Sequence, residues 1–249
     1  MKLKVLGSSS AGNSYIFESD NSALIVEAGY PLKEVLKAIN FDREKIQGCL
    51  VSHEHGDHSK YIKDYLNNGI KCLTPPYYSQ LLNNMNAYTV EEQTSIKVGD
   101  NRGFVCTPLE MIHDVECYGY TIYHPEMGSV LFITDTEYVP HDLGFFKFSH
   151  IMIEANYGED IIRKKMQTDA TMIPHLRHIM KGHLSIENCI SYLTKMDLSE
   201  CNDIILLHLS DNNSNEKDFI KRVRSAFPLV NVLAAHSGLV INDFNKERF

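Results

Sequence analysis

The chain has 249 residues, 43% of them hydrophobic and 22% charged, with a formal net charge of −8. That length holds one large domain with a substantial core, taken as residues 1–249, and the ordinary apolar content excludes long disorder. The acidic balance excludes a protein that coats nucleic acid by electrostatics alone, though not an enzyme with a local basic patch.

Residues 3–6 alternate and read as a first strand, broken by the turn formers Gly7-Ser8-Ser9-Ser10-Ala11-Gly12-Asn13. Strands over 14–18 and 23–26 follow, joined by Ser19-Asp20-Asn21-Ser22. Leu32, Val35, Leu36 and Ile39 repeat at i, i+3, i+4 and i+7, which predicts an amphipathic helix started by Pro31. A buried strand is expected at 46–51, a helix at 61–66, a strand at 71–73 and a helix at 76–82. From 94 to 134 the period is mostly two, giving strands at 95–98, 104–107, 118–123 and 129–134. His113-Asp114 and the stretch 124–128 break that run. A short strand at 151–153 ends in Glu154, and 160 to about 178 is helical with a break at Pro174. Ser185 caps a helix to about Met196, 204–207 is a buried strand, 217–227 the last helix and 229–234 the last strand. No repeat is visible at the residue level. Strands that come in meanders as well as singly exclude a doubly wound parallel sheet and fit an α/β four-layer αββα sandwich.

The stretch that organises the chain is Ser52-His53-Glu54-His55-Gly56-Asp57-His58, which hangs from the buried strand at 46–51. Imidazole and carboxylate are the donors that suit zinc and its first-row neighbours. So short a loop cannot wrap His53, His55, Asp57 and His58 around one ion without severe strain, so the pattern points to two. Polar residues just after other buried strands complete the set: His113, Asp135 and His208. His53, His55 and His113 serve one ion, Asp57, His58 and His208 the other, and Asp135 is able to bridge. With a shared water, that is the coordination two divalent ions need, zinc first and manganese second.

No apolar run approaches the ~20 residues that span a bilayer, and the N-terminal one is too short for a signal peptide. Six cysteines carry no C-x-x-C spacing. Reduced thiols in a cytoplasm, with no membrane partner, are therefore expected. The sequence does not set the oligomeric state, and a homodimer is compatible with it. His124, His141, His150 and His236 are read as surface residues. Between Arg163 and His183 stand five cations (Arg163, Lys164, Lys165, Arg177 and Lys181), a solvated helix face or an electropositive wall for an anionic substrate. Tyr77, Tyr78, Tyr118 and Tyr157 either stack on a base or fill a core.

The order His53-Glu54-His55-Gly56-Asp57-His58, His113, Asp135, His208 resembles the metallo-β-lactamase-fold hydrolases over nearly the whole chain. Gly7 to Ser14, His113-Asp114, Thr134-Asp135-Thr136, Gly182-His183-Leu184-Ser185 and Leu207-His208-Leu209-Ser210 resemble the YycJ/WalJ-type exonuclease branch. They are also similar to elements of the ribonuclease Z branch. The resemblance implies that Glu154 and His183 form a catalytic pair near the leaving group, and that His208 is the last metal ligand. Two departures stand out. Glu27 replaces the family's usual Asp after the third strand, where it supports the metal loop. Only residues 136–207 separate Asp135 from His208, which leaves no room for a large inserted domain or a tRNA-gripping arm.

The expected chemistry is hydrolysis of a phosphodiester in a nucleotide or nucleic acid. A water shared by two ions falls to a pKa of about 7, Asp57 orients it, and His183 donates a proton to the leaving oxygen or clamps the phosphate. A cyclic-nucleotide phosphodiesterase is the alternative. A thioester or lactam hydrolase ranks below it, and a non-enzymatic metal-binding module comes last.

Overall fold

The computed structural model describes residues 1–99 and 103–247. The first sheet is formed by β1 (Lys2–Ser9), β2 (Gly12–Glu18), β3 (Ala23–Val26), β4 (Ile46–Leu50), β5 (Cys72–Thr74) and β6 (Ala87–Thr89). The second comprises β7 (Ile96–Val98), β8 (Phe104–Met111), β9 (Cys117–His124), β10 (Gly128–Ile133), β11 (His150–Glu154), β12 (Asp203–Leu207) and β13 (Asn231–Ala234). A short strand, β14 (Val240–Ile241), returns to the first sheet beside β1. Helices α1 (Leu32–Ala38), α2 (Gly56–Ser59), α3 (Ile62–Asn67) and α4 (Pro76–Leu82) belong to the first half, and α5 (Glu159–Thr168), α6 (Ile173–Gly182), α7 (Ile186–Leu193) and α8 (Glu216–Ala226) to the second.

The central strands of the parallel part, β3, β10, β11 and β12, are buried almost throughout on both faces, and their alternate residues enter different cores. Leu24 and Val26 point between the sheets with Leu50, Val130, Phe132 and Ile205. Their neighbours Ala23 and Ile25 pack outward on Val35 and Leu66 of α1 and α3. In the second sheet Leu131, Ile133 and Ile204 turn outward onto Cys189 and Val223 of α7 and α8. Helix, sheet, sheet and helix are thus the four layers the strand pattern predicts, because a strand with apolar residues at both parities must be covered on both sides. Tyr118 belongs to the core between the sheets, and Tyr157 joins Ile162 and Leu176 in a small cluster under α5 and α6. Tyr77 is 57% exposed.

Both sheets follow one scheme. The order β14-β1-β2-β3 is antiparallel and β3-β4-β5-β6 parallel; β7-β8-β9-β10 is antiparallel and β10-β11-β12-β13 parallel. The duplication is one of pairing, not of residues. It makes β3 the counterpart of β10, β4 of β11 and β5 of β12, so the loops at their carboxyl ends meet at one edge of the sandwich.

Several expectations need correction. The helix predicted across 160–178 is broken at Asp169, not Pro174: the Asp169 carboxylate accepts the Thr171 N–H at 2.9 Å and starts a new turn. Pro174 instead lies in the first turn of α6, where a missing N–H costs nothing. Strand β6 went unpredicted because residues 87–89 are too few to show a period, and β14 follows the strand expected to be last. His150 and His124 are buried, 0% and 4% exposed, rather than on the surface. His150 Nδ1 meets Asp203 Oδ2 at 2.8 Å, its Nε2 meets the Asn245 carbonyl at 3.1 Å, and its ring stacks on Phe244. A buried imidazole is retained there because a buried carboxylate needs it. His141 is half-buried against the Glu110 carbonyl, and His236 is exposed. All six cysteines are buried free thiols.

Candidate metal centre

The histidine stretch leaves the carboxyl end of β4, and His55 serves as the residue before α2. Asp135 follows β10, Glu154 closes β11, and His208 follows β12. Rigid strand ends therefore set the base of every loop in the site. Asp135 and His208 both adopt left-handed backbone, with φ of 42° and 52°, as does Glu27 at the end of β3, with φ of 71°. Three non-glycine residues in that region at one sheet edge mark a site where side-chain placement outweighs local backbone strain.

The structure brings the sequence-selected donors together in two groups. Ligand atoms of His53, His55 and His113 lie within 4.8 Å of one another, as do those of Asp57, His58, Asp135 and His208. Asp135 stands between them: Oδ2 is 3.7 Å from His53 Nε2 and 3.4 Å from His58 Nε2, and Oδ1 is 2.9 Å from His208 Nδ1. A third grouping joins Asp135 and His208 to Glu154 and His183. Glu154 is fully buried. Its Oε1 meets His183 Nδ1 at 2.8 Å and His208 Nδ1 at 3.2 Å, while Oε2 accepts the N–H groups of Leu184 at 2.9 Å and Thr136 at 3.2 Å. Glu27 accepts the Ser52 N–H at 3.3 Å and lies 3.5 Å from His58 Nδ1, so the longer side chain does reach the loop.

Burial and neighbouring charge give the two ends different character. Burial, then the positive charge of His58, holds the His53 imidazole well below the usual histidine range, and burial also lowers His113. At His58 and His208 burial opposes charge as well, but the surrounding carboxylates together outweigh it, Asp135 first, with Glu27 and Asp57 at His58 and Asp57 and Glu154 at His208, and both rise well above that range. Burial works against ionising Asp57, yet hydrogen bonds from His208 and His58 keep its carboxyl well below the usual carboxylate range. In the Glu154–His183 pair the mutual attraction overcomes burial, lowering the acid and raising the imidazole. One end is thus neutral imidazole and the other paired charge.

The fit to metal rests on atoms that lack a partner. Nε2 of His53 and Nδ1 of His113 are buried and make no hydrogen bond among the described residues, and the nearest partner of the buried His208 Nε2 is the Asp57 carboxylate, 3.3 Å away. Nδ1 of His55 and Nε2 of His113 stand only 3.2 Å apart. Buried polar groups are almost always satisfied, so converging unsatisfied imidazoles beside carboxylates fit divalent ions.

Sequence reasoning assigned no role to the residues that clasp this cluster from β1 and β2. Asn13 Nδ2 donates to Asp57 Oδ2 at 3.1 Å and lies 3.1 Å from His58 Nε2. The His208 N–H donates to Ser8 Oγ at 2.9 Å, and Asn156 Nδ2 donates to the His208 carbonyl at 2.9 Å. The signal available was the turn-rich stretch from Gly7 to Asn13, which reads as a loop, whereas β1 runs on to Ser9 and β2 starts at Gly12, leaving only Ser10 and Ala11 between the strands. A cleft of about 710 Å³ opens over the donors, walled on its far side by Lys165, His175, His178 and Lys181. Of the five cations in the basic stretch, only Lys165 and Lys181 line it.

Two mixed sheets between helix layers, with a histidine–aspartate cluster at the strand ends, define a metallo-β-lactamase-fold hydrolase. The chain belongs to the family described as the Beta-lactamase superfamily domain, which it matches over residues 36–208. It is 25% identical over 233 residues to the exodeoxyribonuclease WalJ of Streptococcus pneumoniae, covering 86% of this chain and 83% of that protein. Over 230 residues it is 26% identical to the exodeoxyribonuclease YycJ of Bacillus anthracis, covering 87% and 85%. Among solved structures, the metallo-β-lactamase-fold protein YhfI of Bacillus subtilis superposes with a TM-score of 0.72 at 20% identity, covering 97% of this chain and 99% of that one. The short form of human tRNase Z superposes with a TM-score of 0.62 at 14% identity, covering 98% and 99%. These two structural likenesses are of fold. Among the described residues no helix is long and apolar enough to cross a membrane.

Proposed function

We propose that the chain is a dinuclear-metal phosphodiesterase of the nuclease type. The observation that carries this reading is the pair of donor groups sharing one edge with Asp135 between them, beside a histidine–glutamate pair that belongs to neither of those two groups. His53, His55 and His113 would hold one ion, and Asp57, His58 and His208 the other, with Asp135 shared. Zinc suits this nitrogen-rich set and manganese is the second choice. Such ions supply charge neutralisation at the attacked phosphate and lower the pKa of water to about 7. Asp57, fixed by Asn13 and His208, orients the attacking water. His183 has Nδ1 committed to Glu154, which leaves Nε2 for the leaving oxygen, and the neighbouring carboxylate raises the imidazole pKa, which favours the proton-donating form. The two exodeoxyribonuclease relatives support a nucleic-acid substrate.

The test is direct. Purified protein is expected to carry close to two zinc or manganese ions per chain and to hydrolyse bis-p-nitrophenyl phosphate, with activity lost in chelator and restored by metal. Asp57→Ala abolishes turnover, whereas His183→Ala lowers kcat and leaves metal content intact. Metal content near zero, or turnover confined to a glutathione thioester, would overturn the reading.

A further inference from the structure

The cleft over the donor cluster is electrically divided. Its floor holds the carboxylates of Asp57, Asp114 and Asp135, while its far wall presents Lys165 from α5 with His175, His178 and Lys181 from α6. The wall groups are not a random share of the basic stretch. Arg163, Lys164 and Arg177 are exposed and line no part of the cleft, so helix geometry sorts the cations onto two faces. Residues 175, 178 and 181 are spaced three apart, which keeps them on one side of α6 and spreads them over about 9 Å of its length.

Three further observations concern what the wall is for. On a chain of net charge −8, neither Lys165 nor Lys181 enters an ion pair among the described residues. Lys165 Nζ is instead held by neutral oxygens, the Asn212 carbonyl at 2.6 Å and Asn213 Oδ1 at 2.8 Å, so its charge stays uncompensated at the rim. The wall is also registered to the donors. At Gly182, where α6 ends, an added Cβ would lie 3.2 Å from His113 Cε1, and His183 is the next residue. The Tyr157, Ile162 and Leu176 cluster fixes α5 and α6 together beneath it. Two unpaired cations held in the same cleft as the donor cluster attract a second anion.

Resting on the phosphodiester reading, we propose that this wall is an anion subsite for the phosphates that flank the scissile one. The substrate is therefore an oligonucleotide strand rather than a cyclic mononucleotide. A cyclic nucleotide carries a single phosphate, which the donor cluster and His183 occupy, and it would leave Lys165 and Lys181 without an anion.

The experiment compares decathymidylate, 3′,5′-cyclic AMP and bis-p-nitrophenyl phosphate on the metal-loaded enzyme, for the wild type and a His175→Gln/His178→Gln/Lys181→Gln variant. The expected result is a ratio of kcat/KM, decathymidylate over bis-p-nitrophenyl phosphate, that falls about tenfold in the variant. The salt dependence of KM for decathymidylate also becomes shallower, by about 0.7 in the log–log slope for the one lysine charge removed. Arg177→Gln, on the other face of α6, leaves ratio and slope at wild-type values. A variant ratio and slope equal to the wild type's would overturn the subsite, as would a wild-type enzyme that cleaves cyclic AMP but not decathymidylate. A wild-type enzyme inert on all three would instead remove the phosphodiester reading beneath it.

Discussion

Replacing Gly29 by alanine tests how the fold holds the candidate centre. Gly29 follows β3 by three residues, and its N–H donates to the Asn13 carbonyl at 3.0 Å. A Cβ there would lie 2.0 Å from the Asp57 carbonyl oxygen and 2.5 Å from the Asn13 nitrogen, both backbone atoms. Ordinary van der Waals contact begins at 3.4 Å, so the Asp57 loop must retreat by roughly 1.4 Å or the strand end must move. Overpacking of this kind costs about 1–3 kcal/mol, and for a chain of this size each kcal/mol lowers Tm by about 2–4 °C, which gives a fall of about 2–12 °C. Asp57 and Asn13 are displaced together, and a misplacement near 1 Å costs about 100-fold in turnover. Thermal melting followed by circular dichroism, metal analysis and bis-p-nitrophenyl phosphate turnover read the three effects. A Gly29→Ala protein with Tm within about 1 °C and turnover within about twofold of wild type would refute the claim that this close approach sets the loop.

Glu154→Gln keeps the shape of a buried side chain but turns an amide N–H₂ toward groups that donate, since Leu184, Thr136, His183 and His208 all face the carboxylate. A loss of about 3–5 kcal/mol is expected by chemical denaturation, and an unchanged midpoint would refute it. Chelator treatment should lower Tm, because ions that bind only the folded chain contribute about 4 kcal/mol at a thousandfold excess over Kd; calorimetry with and without metal measures it. His150→Ala removes the imidazole 2.8 Å from the buried Asp203 carboxylate, at the opposite end of β11 from Glu154. Stability should fall by about 3–5 kcal/mol while turnover per folded molecule is kept, and a loss of turnover at full folding would contradict that separation.

Much of the sandwich and its donor set was legible before any coordinates. A strand or helix at the surface of a core announces itself through a period of two or 3.6, and Ile46 through His58 carries both a buried strand and its ligand types within one contiguous stretch. His113, Asp135 and His208 were within reach for the same reason, since each stands within two residues of the end of an apolar run. Local pattern determined which residues end the strands. It could not determine which strand ends meet. That the two sheets share one pairing scheme, so that β3, β4 and β5 present their loops opposite β10, β11 and β12, is a matter of hydrogen-bond partners far apart in the chain.

The same limit explains the misses. Asn13 reaches Asp57 across 44 residues, Ser8 reaches His208 across 200, and His150 meets Asp203 across 53, so no spacing rule could pair them. His150 read as a surface residue because its partner is invisible in its own neighbourhood, and only packing brings Asp203 beside it. Asp169 ends α5 because its side chain finds the Thr171 N–H, a local bond that competed with the more conspicuous Pro174. For the basic stretch, sequence alone left both a solvated face and a cleft wall open. Tertiary packing sorts the cations, placing Lys165 and Lys181 along the cleft and leaving Arg163, Lys164 and Arg177 outside it, because α6 must bury Leu176 and end against His113.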